Sequence, residues 1–464
     1  MQRLTGIDAS FACLDVEAAP LGVAMVCTFD HETAPEPYSF ARVRATVEGR
    51  LDRVPAFRRR LVDPPARLGR PRWIEDPGFA LDRHLWRTST PAPGGDRALA
   101  TVAADALGRR FDWDRPLWDM TVIEGIGPAR TASVTRVHHA AIDGVSGAEA
   151  LANFLDLEPD PAEVAVPRDW QGEPLPSVAM LLADAAHAAA DLPAQVTRRV
   201  ARTTSAGLRL WRHARRRSRA IVPYPAPRTP LNGRLTARRA VAFSRIPLAQ
   251  LDRARRSVGA SVNDVLLALC AQSLRSYLRR RDALPARPLV AGVPVSVRDD
   301  RTVTAANQVS GMLVELPTDT ADPVEQLVRT KAAAEQAKEQ HAELGPHTVT
   351  DAAELAPAAL LRTVATLERS IGLSSLLPPA INVVVSNFPG PALPLYFAGA
   401  RLEAAYPFGP LAFGTGLNIT AQSYDNTLHI GLNACPDLVD DVTEIAAGLE
   451  DGVTALVDEV RTAR

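Results

Sequence analysis

The residues best equipped to move a proton stand together in RVHHAAIDG, residues 136–144, where His138 and His139 adjoin and Asp143 and Gly144 follow three small or apolar residues. A neutral imidazole with a pKa near ~6.5 takes a proton from an alcohol at neutral pH, and a positioned base contributes typically ~10²–10⁴-fold in rate. The preceding TASVTRV alternates as a strand does, and in a strand neighbouring side chains point to opposite faces. One metal ion therefore cannot draw on both histidines, and no metal is expected here. The pair divides instead: one member faces a cleft and the other packs into the protein beneath it. His139 is the candidate base and His138 its structural companion. Asp143 either orients the imidazole, as in a hydrolase triad, or fixes the turn through an arginine elsewhere, while Gly144 permits the backbone to turn. A packing reading, two core histidines beside an aspartate that caps a helix, stands next to the catalytic one.

Other chemistries find less support. Cys13, Cys27, Cys270 and Cys435 are far apart and form no CxxC pair, which argues against a zinc site or a disulfide framework and for reduced thiols. GVSGA, residues 144–148, fails the GxSxG frame at Ala148, and GTGLNI, residues 414–419, fails GxGxxG at Ile419. The two lysines, Lys331 and Lys338, lie in a Glu/Gln/Ala-rich helical stretch and not in a Gly-rich phosphate loop.

The elements that must position the motif alternate in type. FARVRATVEGRL and DRALATVAADALGRRF have helical spacing, whereas WDMTVIEGI and TASVTRVHH read as strands. GAEALANFLDL continues as a helix beyond the motif, and an irregular connector then begins at EPDPAEVAVPRDW. The second alternation comprises the strands RRAVAFSRIP, PLVAGVPVSVR, INVVVSN, GLNITAQSY and TLHIGLNA, with helices at SVNDVLLALCAQSLRSYLRRR, DPVEQLVRTKAAAEQAKEQ and DDVTEIAAGLEDGVTALVDEV. The fold class is α/β: a lobe over 1–160 that carries the motif, a connector over 161–235 and a second lobe over 236–464. Two lobes joined this way leave a cleft between them.

Charge excludes some partners. With 52 basic and 53 acidic residues the chain has no global field to attract nucleic acid. Residues 198–219, RRVARTTSAGLRLWRHARRRSR, concentrate nine arginines without an acidic residue, and Leu208, Leu210 and Trp211 interleave with them. This segment reads either as a solvated linker helix or as an amphipathic helix on an anionic surface. The N-terminal stretch carries Asp8, Asp15 and Glu17 where a signal peptide needs an apolar core, so the expected location is the cytoplasm. Residues 370–400 are uncharged, but five prolines break them, and a buried strand followed by a neutral loop fits better than a membrane span.

HHAAIDG resembles the HHxxxDG signature of CoA-dependent acyltransferases and peptide-synthetase condensation domains. Its neighbours narrow the resemblance to the bacterial wax ester synthase/diacylglycerol acyltransferase family: LTGIDASFACLD, VPAFRRRLV, DRPLW, VND, VPVSVR, NQVSGMLVELP, SNFPGP and GLNITAQSYDNTLHIGL, spread over nearly the whole chain. The resemblance implies two chloramphenicol-acetyltransferase-like lobes with a substrate tunnel at their interface, His139 as general base, and Asp143 as a structural residue paired with an arginine of the other lobe. Arg298 is the positional candidate for that arginine. Asn263 and Asp264 match the family's ND pair, and Pro116, Leu117 and Trp118 its PLW, for which packing is the simpler role. Ser386 and Asn387 are oxyanion donors or caps of a turn. Phe388, TAAN at 304–307 and PLGVA at 20–24 depart from the usual pattern and leave the acceptor open.

The implied activity is transfer of a long-chain acyl group from acyl-CoA, a co-substrate with no other cofactor, to diacylglycerol or, for wax esters, to long-chain alcohols. The implied partners are acyl-CoA and a lipid hydroxyl at a membrane or lipid-droplet surface, placing the protein peripherally on the inner face of the cell membrane. The alternatives are a condensation-type or carrier-protein-dependent acyltransferase of secondary metabolism and a non-catalytic lipid-binding relative.

Overall fold

The computed structural model describes residues 2–65, 70–141, 151–160, 170–187, 190, 225–296, 309–344, 358–411 and 414–462. In chain order the first half contributes β1 (Gln2–Arg3), α1 (Gly6–Leu14), β2 (Gly22–Asp30), α2 (Phe40–Arg50), β3 (Arg59–Val62), β4 (Arg72–Glu75), β5 (Leu85–Ser89), α3 (Gly95–Gly108), β6 (Trp118–Gly127) and β7 (Arg130–His138). The second half adds β8 (Ala240–Pro247), α4 (Leu248–Val258), α5 (Val262–Arg279), β9 (Leu289–Ser296), β10 (Val309–Leu316), α6 (Pro323–Leu344), α7 (Ala358–Ile371), α8 (Leu373–Leu376), β11 (Val383–Phe388), β12 (Tyr396–Phe397), β13 (Ala400–Phe408), β14 (Leu417–Tyr424), β15 (Thr427–Ala434) and α9 (Val442–Thr462).

GVAMVCTFD shows how the first lobe is built. Its alternating residues feed two apolar clusters: Met25 and Phe29 on one face, Ala24 and Val26 on the other. A strand buried on both faces belongs inside a sheet. β2 accordingly lies within the six-stranded order β12-β13-β2-β7-β6-β5, between β13 and β7. The second sheet runs β10-β9-β11-β14-β15-β8, with β11 parallel to both β9 and β14. A three-stranded sheet, β1-β4-β3, completes the set.

In the second lobe one sheet face carries Val383, Val385, Ile419, Ala421, Ile430 and Leu432 into a core shared with α5 and α9. The opposite face is polar yet equally buried: Asn418, Thr420 and Gln422 alternate with the apolar set along β14. What covers it is the first lobe's sheet. β13, although it lies within 236–464, pairs with β2 from Arg401↔Asp30 to Phe408↔Ala24, with a bulge between Leu402 and Ala404. The turn after it seals the polar face, with Asn418 Nδ2 donating to the Pro410 carbonyl at 3.0 Å and Asn433 Nδ2 to that of Gly409 at 2.9 Å. The two lobes therefore share a strand as well as a contact surface.

Among the described residues no single helix is long and apolar enough to cross a membrane. α4 and α5 together have the composition, but they meet at 97°, and Val265, Leu266, Leu267 and Leu269 of α5 are fully buried in the core.

Candidate active site

β7 delivers the motif in alternating directions. Arg136 and His138 share one face; Arg136 is buried beneath the Phe111 ring, 4.6 Å from its centroid, and donates from Nε to Asp119 Oδ1 at 2.9 Å. His138 has no exposed surface, and its ring meets Trp113 and Phe111 edgewise, with centroids 4.9 and 5.8 Å away. Gly22, its cross-strand partner, makes the room: a Cβ there would come within 2.9 Å of Phe111 Cε2.

The proton on His138 can be placed. The Ala140 N–H donates to His138 Nδ1 at 3.0 Å, so the neutral ring carries its hydrogen on Nε2. Nε2 faces Asp15 Oδ1 at 3.8 Å, beyond hydrogen-bond range and within direct electrostatic attraction. Asp15 Oδ1 also accepts the Leu21 N–H at 2.9 Å, and Oδ2 accepts Arg110 Nη2 at 2.9 Å. Burial alone would push the Asp15 carboxyl up; His138, the Leu21 N–H and Arg110 outweigh it and hold the group below the usual carboxylate value.

His139 faces the other way and is half-buried. Its N–H donates to the Leu21 carbonyl at 2.8 Å, and its ring lies flat on Phe11, centroids 4.2 Å apart and planes within 16°. Phe11 belongs to the last turn of α1, which begins where Thr5 Oγ1 accepts the Asp8 N–H at 3.2 Å and ends at Asp15, whose N–H donates to the Phe11 carbonyl at 3.1 Å. One short helix thus reaches both imidazoles.

The PLW residues pack and also align the motif. Pro116, Leu117 and Trp118 are buried; the Leu117 carbonyl accepts the His138 N–H at 2.9 Å, and Trp118 Nε1 donates to the Phe57 carbonyl at 2.7 Å. Asp264 closes a capping box at the start of α5, its Oδ2 accepting the Ser261 N–H at 2.8 Å, and Oδ1 is buried without a hydrogen-bond partner among the described residues. Asn263 is half-buried beside it. Ser386 and Asn387 pair with Thr420 and Ala421 of β14. Alternation puts Ser386 on the face of Phe388, which packs against the first lobe, and Asn387 on the opposite one. Asp143, Gly144, Arg298 and the arginine-rich segment 198–219 lie outside the described residues.

Among the described residues no group of His, Cys, Asp and Glu is arranged to hold a metal ion. What the site offers is an imidazole steadied by a stacked ring and by its own backbone, partly open to whatever enters beside it. Phe11 and Asp15 are the residues that motif reasoning passes over; both lie in LTGIDASFACLD, whose pattern marks the stretch without saying what its side chains touch.

The family model for the wax ester synthase/diacylglycerol acyltransferase catalytic domain matches residues 4–266, and that for the WS/DGAT C-terminal domain matches residues 305–456. A Mycobacterium tuberculosis protein named as a diacylglycerol O-acyltransferase is 34% identical over 459 residues, 99% of this chain and 90% of its own. A second from the same organism is 31% identical over 457 residues, covering 98% of each chain. The solved wax ester synthase/diacylglycerol acyltransferase of Marinobacter aquaeolei VT8 aligns over 99% of this chain and all of its own, with 28% identity and a TM-score of 0.71. The first condensation domain of the CDA synthetase, at 17% identity, 99% and 96% coverage and a TM-score of 0.56, shares the two-lobed fold. Matched in both halves and folded as a solved member is, the chain belongs to the wax ester synthase/diacylglycerol acyltransferase family.

Proposed function

We propose that this acyltransferase moves a long-chain acyl group from acyl-CoA to the free hydroxyl of diacylglycerol, giving triacylglycerol, with long-chain alcohols as a second acceptor class. The observation that carries the reading is the half-buried His139, presented at the end of β7 beside a fully buried and separately anchored His138. His139 takes the hydroxyl proton as the oxygen attacks the thioester carbonyl. The new C–O bond forms, the C–S bond breaks, and CoA departs as a thiolate of pKa about ~8.5 that recovers the proton from the imidazolium. No acyl-enzyme is required. The substrates meet at the lobe interface, which makes the reaction effectively intramolecular. Ser386, on the β11 face that meets the first lobe, is the better placed of the two candidate oxyanion donors.

The acceptor comes from a lipid surface, and α7–α8 support that part of the reading. Leu360, Leu367, Ile371, Leu376 and Leu377 are between 39% and 63% exposed. Arg228 and Arg234 edge the same patch, donating to the carbonyls of Leu376, Leu377 and Arg369. Glu368, the one acidic residue of α7, is buried and accepts the Ser374 N–H at 2.7 Å. An apolar surface with a cationic rim suits an anionic bilayer. α7 packs on α1, the helix that carries Phe11.

The test is incubation of the purified protein with palmitoyl-CoA and separate diacylglycerol, fatty-alcohol and amine acceptors, following both free CoA and product. Triacylglycerol is expected from diacylglycerol. Turnover confined to the amine, or absent with every acceptor, contradicts the reading.

A further inference from the structure

The structure assigns Asp15 as the positioning carboxylate of the histidine pair, a role that rests on His139 being the base proposed above. Asp15 holds the motif by two separate routes. The first runs through a side chain: Oδ1 lies 3.8 Å from His138 Nε2, whose ring accepts the Ala140 N–H on the other nitrogen. The second runs through the backbone of one residue: the same Oδ1 accepts the Leu21 N–H at 2.9 Å, and the Leu21 carbonyl accepts the His139 N–H at 2.8 Å. The carboxylate therefore adds to the Ala140 N–H in favouring a proton on His138 Nε2, and steadies the turn that begins at Ala140. It also holds the backbone of His139 by way of Leu21.

The charge belongs where it is. The Asp15 side chain is 2% exposed, and a buried carboxylate is tolerated only when its oxygens are satisfied. Arg110, 44% exposed at the side chain, reaches in to Oδ2 from the solvent side and supplies the countercharge, leaving Oδ1 for Leu21 and His138. Asp15 also terminates α1, so the helix whose Phe11 stacks on His139 is placed by the residue that braces His138. Neither route touches a reacting atom; Asp15 acts by holding the two histidines in register. A histidine whose partner sets its tautomer and ring orientation is a recurrent device, and loss of such placement costs on the order of 100-fold in rate.

The test uses Asp15→Asn, Asp15→Ala and, as a second site, Arg110→Gln, each in the full chain with melting temperature recorded. Nitrogen-15 NMR of the histidine side chains reads the His138 tautomer without any substrate. The expected result is an Nε2–H ring in the wild type, a mixed ring in Asp15→Ala, where only the Ala140 N–H still favours that tautomer, and an intermediate state in Asp15→Asn, whose amide oxygen replaces only one acceptor. Turnover with palmitoyl-CoA should fall by about 100-fold in kcat for Asp15→Ala at nearly unchanged KM, with Asp15→Asn and Arg110→Gln in between. An unchanged His138 tautomer together with wild-type kcat in folded Asp15→Ala overturns the assignment. A lowered melting temperature with tautomer and kcat unaltered overturns it too, since it leaves Asp15 a merely structural residue. If the wild type transfers no acyl group at all, the acyltransfer reading fails while the tautomer still reports on Asp15.

Discussion

The rings of Phe11 and His139 lie face to face, centroids 4.2 Å apart and 16° from coplanar. The contact blocks one side of the imidazole and limits its rotation, so the ring is held in one plane. Replacing Phe11 by leucine keeps the volume and loses the flat face; replacing it by alanine loses both. We expect kcat to fall by about 10-fold in Phe11→Leu and by up to about 100-fold in Phe11→Ala, with KM for palmitoyl-CoA little changed. Steady-state kinetics on both variants checks this, and equal kcat for all three proteins would remove the stacking from the mechanism.

The opposite orientation of His138 and His139 is readable from strand geometry alone, because a period of two must send them to opposite faces; which of them is the base rests on the family resemblance. β7, β14 and β15 are similarly legible, since their alternation is uninterrupted and both faces are buried. β13 is not: ARLEAAYPF is rich in alanine, carries a bulge between Leu402 and Ala404, and pairs with β2 from the opposite end of the chain, a partnership no local period encodes. For the same reason the sequence shows Asp15 and Phe11 as parts of a short stretch but not as neighbours of the motif. Only the sheet register, which brings Gly22 opposite His138, places the end of α1 against the end of β7.

The sharing of β13 between lobes has a point of strictest fit at Gly431. A Cβ built there would lie 2.2 Å from the Pro407 carbonyl oxygen, a backbone atom of β13 that cannot swing away. Gly431→Ala should therefore destabilise the protein by about 1–3 kcal/mol through overpacking at the lobe contact. Denaturant unfolding measures it, and a midpoint equal to the wild type would mean the two sheets are not packed this closely.

His429 sits on the same buried face, against Tyr406 and Tyr424. Burial, with Arg245 nearby, pushes its imidazole down to about 4. Below pH 6.5 the unfolded chain takes up this proton while the folded chain refuses it, so stability falls as pH drops from 6.5 to about 4, by roughly 3 kcal/mol over that window. His429→Gln should flatten this part of the profile. Melting temperatures at pH 7 and pH 5 for both proteins decide it; parallel slopes would contradict the assignment.

The α7–α8 patch predicts surface attachment through its exposed side chains. Leu367→Glu with Ile371→Glu should release the protein from vesicles containing an anionic phospholipid, while turnover with a detergent-dispersed acceptor persists. Co-sedimentation reads the first and CoA release the second. Undiminished vesicle binding would place the lipid contact elsewhere.

The most direct measurement is CoA release by wild type and His139→Ala, with palmitoyl-CoA and diacylglycerol. A base at His139 predicts a fall of about 10²–10⁴-fold in kcat at unchanged melting temperature; equal rates from the two proteins would show that this imidazole does not take the proton.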